Sequence, residues 1–252
     1  MTHDIILSIQ NLHKAFGGLN AVQDCSFTVR RNSITGLIGP NGAGKTTLFS
    51  LLTGLLKPDR GTIHFNGRDI TRWPTHRRVA AGLTQTFQAI RLFPELTVLD
   101  NLLVALKDNK QGLHHIFLNQ KKLQKRLTSE VTEMLRSVQL HEKAHLLAGE
   151  LSYGQQKLLE ILRAAALNPD MILLDEPAAG VNRTMLHTII TLIQKLKKEG
   201  KTFLVIEHDM GFIMGLSEKI VVIDYGKEIA VGTPKEIQKD PKVLEAYLGA
   251  KF

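Results

Sequence analysis

Cysteine is almost absent from this chain of 252 residues: Cys25 stands alone. A single thiol excludes an internal disulfide framework and suits a reducing compartment. Long apolar runs are missing as well. The longest, Leu48 to Leu56, is interrupted by Ser50, Thr53 and Gly54, and falls far short of the ~20 residues a spanning helix needs. The opening Met1-Thr2-His3-Asp4-Ile5-Ile6-Leu7 has no basic region and no long apolar stretch, so no secretory signal is expected. Negative charge is in the minority, with 24 Asp and Glu against 32 Lys and Arg and a formal net charge of +8. That balance suits anionic partners such as nucleotides, nucleic acid or an anionic membrane leaflet. No internal repeat, low-complexity tract or long linker interrupts the chain, whose length fits one sizeable domain or two small lobes sharing a core.

The remaining pattern has three parts. The first third alternates short strand-like runs with turns: Ile5-Leu7-Ile9, Phe27-Val29 and Ile63-Phe65 alternate apolar and polar residues, as half-exposed strands do. Ile34 to Ile38 runs directly into a glycine-rich turn, and Thr46 to Leu56 then reads as a helix. The middle is helical, with amphipathic segments near 97–107 and 115–138 and a third from Tyr153 to Leu167. Lys121, Lys122, Lys125 and Arg126 form a basic cluster there, beside an apolar stripe of Leu123, Leu127, Val131, Met134 or Leu135, and Val138. The stripe is expected to pack into the chain rather than onto a membrane.

In the last third, Met171 to Leu174 and Phe203 to Ile206 are continuous apolar runs, the pattern of strands buried on both faces of a parallel sheet. A helix near 183–198 joins them and ends at Gly200. Ile220 to Ile223, the turn Asp224-Tyr225-Gly226 and Glu228 to Val231 read as a hairpin. Thr233-Pro234-Lys235-Glu236 carries an N-cap, a proline at the first helical position and a capping-box acid. The sum is an α/β core with an inserted helical lobe and an antiparallel β segment.

Three motifs carry chemistry. Gly39-Pro40-Asn41-Gly42-Ala43-Gly44-Lys45-Thr46 fits the phosphate-loop pattern Gly-x-x-x-x-Gly-Lys-Ser/Thr between a strand and a helix. Its glycines let backbone N–H groups approach phosphate oxygens, and the helix start adds free N–H groups and dipole. Lys45 supplies charge for the β- and γ-phosphates, and the Thr46 hydroxyl can ligate Mg²⁺. Thr47 is counted with the loop as nucleotide-binding. Next, Met171-Ile172-Leu173-Leu174-Asp175-Glu176-Pro177 is a buried strand ending in two carboxylates, where ligands bind at the edge of a parallel sheet. Asp175 is placed to hold Mg²⁺ and Glu176 to polarise an attacking water, which favours ATP hydrolysis over a signalling GTPase or a kinase. Third, Leu151-Ser152-Tyr153-Gly154-Gln155-Gln156 has a capping-box pattern in Ser152 and Gln155. Its capped helix end, with a small residue at Gly154, presents N–H groups to an anion.

With this third motif the sequence resembles the ATP-binding cassette family, whose signature reads Leu-Ser-Gly-Gly-Gln; Tyr153 departs from the commonest form. The resemblance implies a RecA-like P-loop core with an antiparallel β subdomain over residues 1–88 and 167–252, and a helical subdomain over about 89–166. It implies that Ser152, Gly154 and Gln155 contact the γ-phosphate bound by a partner subunit, so two cassettes sandwich two ATPs. It further implies that Phe16 stacks on adenine, that Gln88 touches Mg²⁺ or the lytic water and senses the membrane subunits, and that His208 contacts the γ-phosphate. The remaining histidines show no ligand spacing. Asn182 occupies the place of an aspartate in the common family loop.

Several segments resemble the branched-chain amino acid importer group: Phe16 to Val22, Leu151 to Gln156, Pro177 to Gly180, Glu207 to Met210 and Val243 to Gly249. That group normally has Arg where Gln85 stands and Leu followed by Pro around Val181-Asn182-Arg183. Urea and short-amide importers share much of the pattern, and a urea, short-amide or other amino acid importer is the alternative. The implied partners are a second cassette (a non-identical paralogue or another copy), two permease subunits and, indirectly, a periplasmic or extracellular solute-binding protein. The implied location is the cytoplasmic face of the cell membrane, held peripherally. Arg91, Leu92 and Phe93, after Gln88, are expected at the coupling surface. A soluble cassette ATPase acting on nucleic acid is disfavoured by the missing coiled-coil or zinc-binding insertion, and no nucleic-acid partner is expected. A P-loop kinase leaves the signature unexplained, and intact Glu176 and His208 oppose a module without turnover.

Overall fold

Every residue of Ile34–Ile38 (β3) is buried, as a continuous apolar run in a central strand must be. The computed structural model describes residues 4–110 and 120–248, and β3 lies at the heart of a six-stranded sheet among them. The other strands are Leu83–Gln85 (β6), Met171–Asp175 (β7), Thr202–Ile206 (β8), Lys219–Asp224 (β9) and Lys227–Gly232 (β10). Their order is β10-β9-β3-β8-β7-β6. All neighbours pair parallel except β9 and β10, which form the expected hairpin. Its two-residue loop, Tyr225-Gly226, has φ of 44° and 76°, the left-handed pair that suits a tight hairpin between twisted strands.

A second, antiparallel sheet has the order β2-β1-β4-β5. It is built from Ile5–Phe16 (β1), Leu19–Arg30 (β2), Arg60–Phe65 (β4) and Arg68–Asp69 (β5). β1 and β2 run twelve residues each, longer than the alternating tripeptides suggest, because bulges shift the register between Ile9 and Leu12 and between Lys14 and Ala15. Strict alternation is thereby lost without ending the strand: Ile6 and Leu7 are both buried. The inner faces of the two sheets and Lys45–Thr53 (α1) close one core, including Leu12, Val29, Leu48, Leu52, Ile63, Leu173 and Leu204.

Contacts divide the chain into two compact units. The first holds residues 1–85, 170–176 and 197–252, hence both sheets; the second holds 86–169 and 177–196. The second unit thus takes in 177–196 as well as the stretch expected to form a helical lobe. A local reason lies at Gly154, where an added Cβ would stand 2.6 Å from Met185 Cγ.

Within the second unit are Val98–Lys110 (α3), Gln120–Arg136 (α4), Tyr153–Ala166 (α5) and most of Arg183–Lys198 (α6). Buried Leu102 and Leu106 on α3, Leu127, Val131 and Leu135 on α4, and Leu158 and Leu162 on α5 form its apolar faces, at the three- and four-residue spacing of amphipathic helices. The part of the expected helix before Gln120, the Lys121 side chain and Gly249 lie outside what is described. Asn101, wholly buried, pins the preceding turn: its amide donates to Phe93 O and Thr97 O at 3.0 Å each and accepts from Phe93 N at 2.9 Å. Thr75–Ala80 (α2), Met210–Leu216 (α7), Pro234–Ile237 (α8) and Pro241–Leu248 (α9) complete the first unit. The α8 capping box forms, with Thr233 N donating to Glu236 Oε2 at 2.7 Å.

Candidate active site

Three adjacent parallel strands deliver their C-terminal ends to one place. β3 ends at the Gly39–Thr46 loop, β8 at His208, and β7 at Asp175-Glu176. The chain cannot cross back directly between parallel strands, so each end opens into a loop, and together they make a crevice. That crevice is a cleft of about 490 Å³ lined by Phe16, Asn41 to Thr47, Glu176 and His208, among others. All these residues belong to the first unit.

The loop is tightly built. Gly44 has φ of 98°, and a Cβ there would stand 2.1 Å from Ala21 O, so only glycine fits. α1 begins at Lys45, and Leu48 N donates to Gly44 O at 2.9 Å, leaving the first-turn N–H groups of Lys45, Thr46 and Thr47 without intrahelical acceptors. Lys45 is 6% exposed, and its ammonium donates to Gly39 O at 2.7 Å and Pro40 O at 2.9 Å. Burial pulls Lys45 below the ordinary lysine value, while the nearby Glu176 and Asp175 carboxylates pull it back up. A phosphate entering here meets a cation that is poorly hydrated and already aimed.

Opposite the loop, Glu176 adopts φ of 49°. Left-handed backbone costs a non-glycine residue roughly 1–2 kcal/mol. It is held by its own N–H, which donates to Ile206 O at 3.0 Å. Glu176 Oε1 lies 2.8 Å from His208 Nε2. His208 is set in turn by Glu207, a buried carboxylate whose Oε2 accepts from His208 N at 2.8 Å and Asp209 N at 3.3 Å. Asp209 caps α7 through Phe212 N at 2.9 Å.

The hairpin joining β1 and β2 turns at Gly17-Gly18 and presents Phe16 and Leu19 at its end. Phe16 is 45% exposed, with Lys14 Nζ 5.5 Å from its ring centroid. The β9–β10 turn docks on the loop: Gly226 N donates to Ala43 O at 2.9 Å, and Gln23 N to Gly226 O at 2.7 Å. This brings Tyr225 to the cleft wall. Leu19, Asn20, Ala21 and Tyr225 are wall residues that the three chemical motifs do not reveal, although Leu19 to Ala21 fall within the Phe16–Val22 resemblance and Tyr225 is an aromatic in a turn. A larger cavity of about 630 Å³ lies beyond Asn41 to Ala43, but Lys45, Glu176 and His208 line the smaller cleft.

Mg²⁺ is a hard cation that keeps several waters and takes one or two protein oxygens plus phosphate. The exposed Thr46 and half-buried Asp175 offer that sparse oxygen set. Among the described residues no group of three or more His, Cys, Asp or Glu forms a metal cage.

The remaining sequence-predicted residues, Gln88, Ser152, Gly154, Gln155 and Asn182, belong to the second unit. Ser152 is the N-cap of α5, with Gln155 Oε1 accepting from Ser152 N at 3.2 Å. Ser152 and Gln88 are exposed. Asn182 N-caps α6 through Oδ1, which accepts from Met185 N at 2.9 Å.

A strand-to-helix phosphate loop facing an acidic strand end at the edge of a parallel sheet defines a P-loop nucleotide-binding protein. Comparison with known proteins narrows this. The family model described as ABC transporter matches residues 22–179, and the chain belongs to that family. A second model, described as branched-chain amino acid ATP-binding cassette transporter, matches residues 227–252. The chain is 41% identical over 249 residues to the high-affinity branched-chain amino acid transport ATP-binding protein LivG of Salmonella typhimurium, covering 97% of this chain and 98% of that one. It is equally 41% identical, with the same coverage, to BraF of Pseudomonas aeruginosa, which bears the same description. The ADP conformation of MJ1267, an ATP-binding cassette of an ABC transporter, superposes with a TM-score of 0.84 at 36% identity, covering 97% of this chain and 99% of that one.

Proposed function

We propose that this chain binds and hydrolyses ATP as the energising subunit of a branched-chain amino acid importer. The observation that carries the reading is the single cleft that gathers the Gly39–Thr46 loop, Glu176, His208 and Phe16. Its companion is the full-length similarity to proteins named for that transport.

The chemistry is phosphoryl transfer to water, giving ADP and inorganic phosphate. Little covalent work falls to the protein, so catalysis is positioning and charge neutralisation. Backbone N–H groups of Asn41, Gly42 and Gly44, with those of Lys45, Thr46 and Thr47, cradle the phosphates, while the Ala43 N–H closes the loop on Pro40 O at 3.2 Å. Gly39 and Pro40 contribute their carbonyls, which hold the Lys45 ammonium, and Lys45 neutralises the β- and γ-oxygens. Phe16 offers its face to the adenine. Glu176 accepts a proton from the attacking water, and His208 Nε2, which bonds the Glu176 carboxylate in the open cleft, is the donor that turns to the γ-phosphate once nucleotide is bound. Thr46 and Asp175 would hold Mg²⁺, which when bound neutralises charge on the β- and γ-oxygens.

Ser152, Gly154 and Gln155 serve the partner subunit's nucleotide, so a working unit pairs this chain with a non-identical paralogue or a second copy. Two permease subunits and, through them, a solute-binding protein complete the assembly. Among the described residues no helix is long and apolar enough to cross a membrane; the permease subunits hold the chain peripherally at the cytoplasmic face.

The test is reconstitution with the permease and solute-binding proteins that co-purify, followed by uptake of labelled leucine, isoleucine and valine into proteoliposomes. ATP-driven uptake that is lost in Glu176→Gln is expected. Uptake of urea or a short amide, with none of the three amino acids, would overturn the substrate assignment.

A further inference from the structure

One face of α5 carries charges that are buried. Lys157 is 2% exposed and Glu160 6%. Charged side chains at such depth are costly unless their hydrogen-bonding groups are satisfied. Both are satisfied by one loop, and so is Arg163 one turn further on. Lys157 Nζ donates to Gln88 O at 3.2 Å. Glu160 Oε1 accepts from Phe87 N at 3.4 Å and Arg91 N at 3.3 Å. Arg163 Nη1 donates to Arg91 O. Positions 157, 160 and 163 follow the helical repeat and share a face.

The same face continues toward the N-terminus of α5. Lys157 Nζ stands 5.8 Å from the Tyr153 ring centroid. The ring in turn packs on the turn before α6: a Cβ on Gly180, whose φ is +71°, would stand 3.1 Å from Tyr153 Cε1. The loop is also braced from outside, with the Arg91 guanidinium 3.8 Å from the Phe87 ring centroid and that of Arg163 4.9 Å from Phe93. Every one of these residues lies in the second unit.

We infer that Tyr153, Lys157, Glu160 and Arg163 form a strut that fixes Gln88 relative to the Ser152 helix end and the Gly180 turn. They are positioning residues: they touch backbone of the loop, not the reacting atoms. Tyr153, the departure from the usual signature, is the link that joins the Gly180 turn to Lys157. Glu160 is the keystone, because one carboxylate oxygen closes two backbone N–H groups of the loop. Its carboxyl is raised by burial, against the Arg91 N–H bond and the Lys157 and Arg163 charges. The consequence for transport rests on the proposed roles of Gln88 and the signature; the strut itself does not.

The test uses the full chain assembled with its permeases, with Glu160→Ala and Glu160→Gln. Hydrogen exchange at the Phe87 and Arg91 amides should quicken about tenfold in Glu160→Ala, as the loss of a hydrogen bond to a charged group implies. It should return most of the way in Glu160→Gln, which keeps a carbonyl acceptor, and exchange in the Gly39–Thr46 loop should not change. Permease-stimulated turnover should fall by a similar factor at unchanged KM for ATP, with rescue by Glu160→Gln. Unaltered exchange in Glu160→Ala overturns the strut. Faster exchange with undiminished stimulation overturns its positioning role. Should Glu160→Ala not fold, Lys157→Met removes a donor while keeping the apolar stem, and the same two readouts decide. An unsubstituted assembly without ATP turnover would instead strike the proposed function, and exchange alone would still judge the strut.

Discussion

Glu176 and His208 meet at 2.8 Å from the ends of neighbouring strands, and neither side chain reaches the other by chance of rotamer alone. Glu176 is turned by its left-handed backbone, and His208 is seated on the Glu207 carboxylate. Glu176→Gln is therefore expected to keep ATP affinity and to lose about 100- to 10,000-fold in turnover, the range of one general base. His208→Ala should fall into the same range, and the double variant should be little worse than either, because the two act as a unit. Steady-state phosphate release and equilibrium ATP binding check this. Additive losses would separate the pair.

Phe16 offers one exposed face at the end of the β1–β2 hairpin. Phe16→Ala should weaken ATP binding about tenfold, within what an aromatic stack contributes, and Phe16→Tyr should bind like the parent. Titration with a fluorescent adenine nucleotide gives the answer. An equal loss of affinity for inorganic triphosphate, which has no base to stack, would contradict the assignment.

Arg78 is 1% exposed, and among the described residues no acidic side chain stands close enough to pair with it. Its guanidinium donates to Leu51 O at 2.6 Å, Leu52 O at 2.7 Å, Trp73 O at 2.9 Å and Thr71 O at 3.0 Å. It thus closes the C-terminal carbonyls of α1, the helix that begins at Lys45. Burial alone lowers its pKa to about 10. Arg78→Leu removes the buried donor of the Leu52, Trp73 and Thr71 carbonyls, leaving Leu51 O only the Gly54 N–H at 3.3 Å, and should cost roughly 3 kcal/mol, seen as a lower urea midpoint at unchanged slope.

The Cys25 thiol is pushed up to about 12, first by burial and then by the Glu228 carboxylate, with the Glu228 N–H opposing. A raised folded-state value means the protonated form stabilises the fold, fully so below about 9 and less as pH climbs through about 12. Stability should decline more steeply over that window in the parent than in Cys25→Ala, where the half-buried Tyr247 hydroxyl, also pushed up to about 12, still contributes its own loss. At neutral pH a thiol reagent should label Cys25 only as fast as the chain unfolds.

Elements whose own periodicity decides them are legible in the sequence. Ile34–Ile38 and Arg183–Lys198 coincide with their apolar run and amphipathic repeat. The cleft is legible wherever a motif fixes geometry locally, as at Gly39–Thr46 and Asp175-Glu176. What is not legible depends on partners distant in sequence. Leu83–Gln85 is a strand only because β7 pairs with it. Met210–Leu216 carries two glycines and no polar face, and is held by the Asp209 cap. Lys157 and Glu160 read as the wet side of an amphipathic helix; the Phe87–Arg91 loop buries them, and no residue pattern announces that loop's path. Arg78 hides within a run of other basic residues.

Residues 177–196 belong to the same unit as 86–169, so the second unit is assembled from two stretches separated by strand β7. Recombination between relatives that exchanges only the longer stretch would leave Val181 and Met185 from one parent against Gly154 from the other, at a spot where a single added carbon comes within 2.6 Å of its neighbour. An interchangeable module of this chain is therefore discontinuous, and a hybrid with crossovers at one pair of boundaries inherits a mismatched seam inside a unit rather than between units.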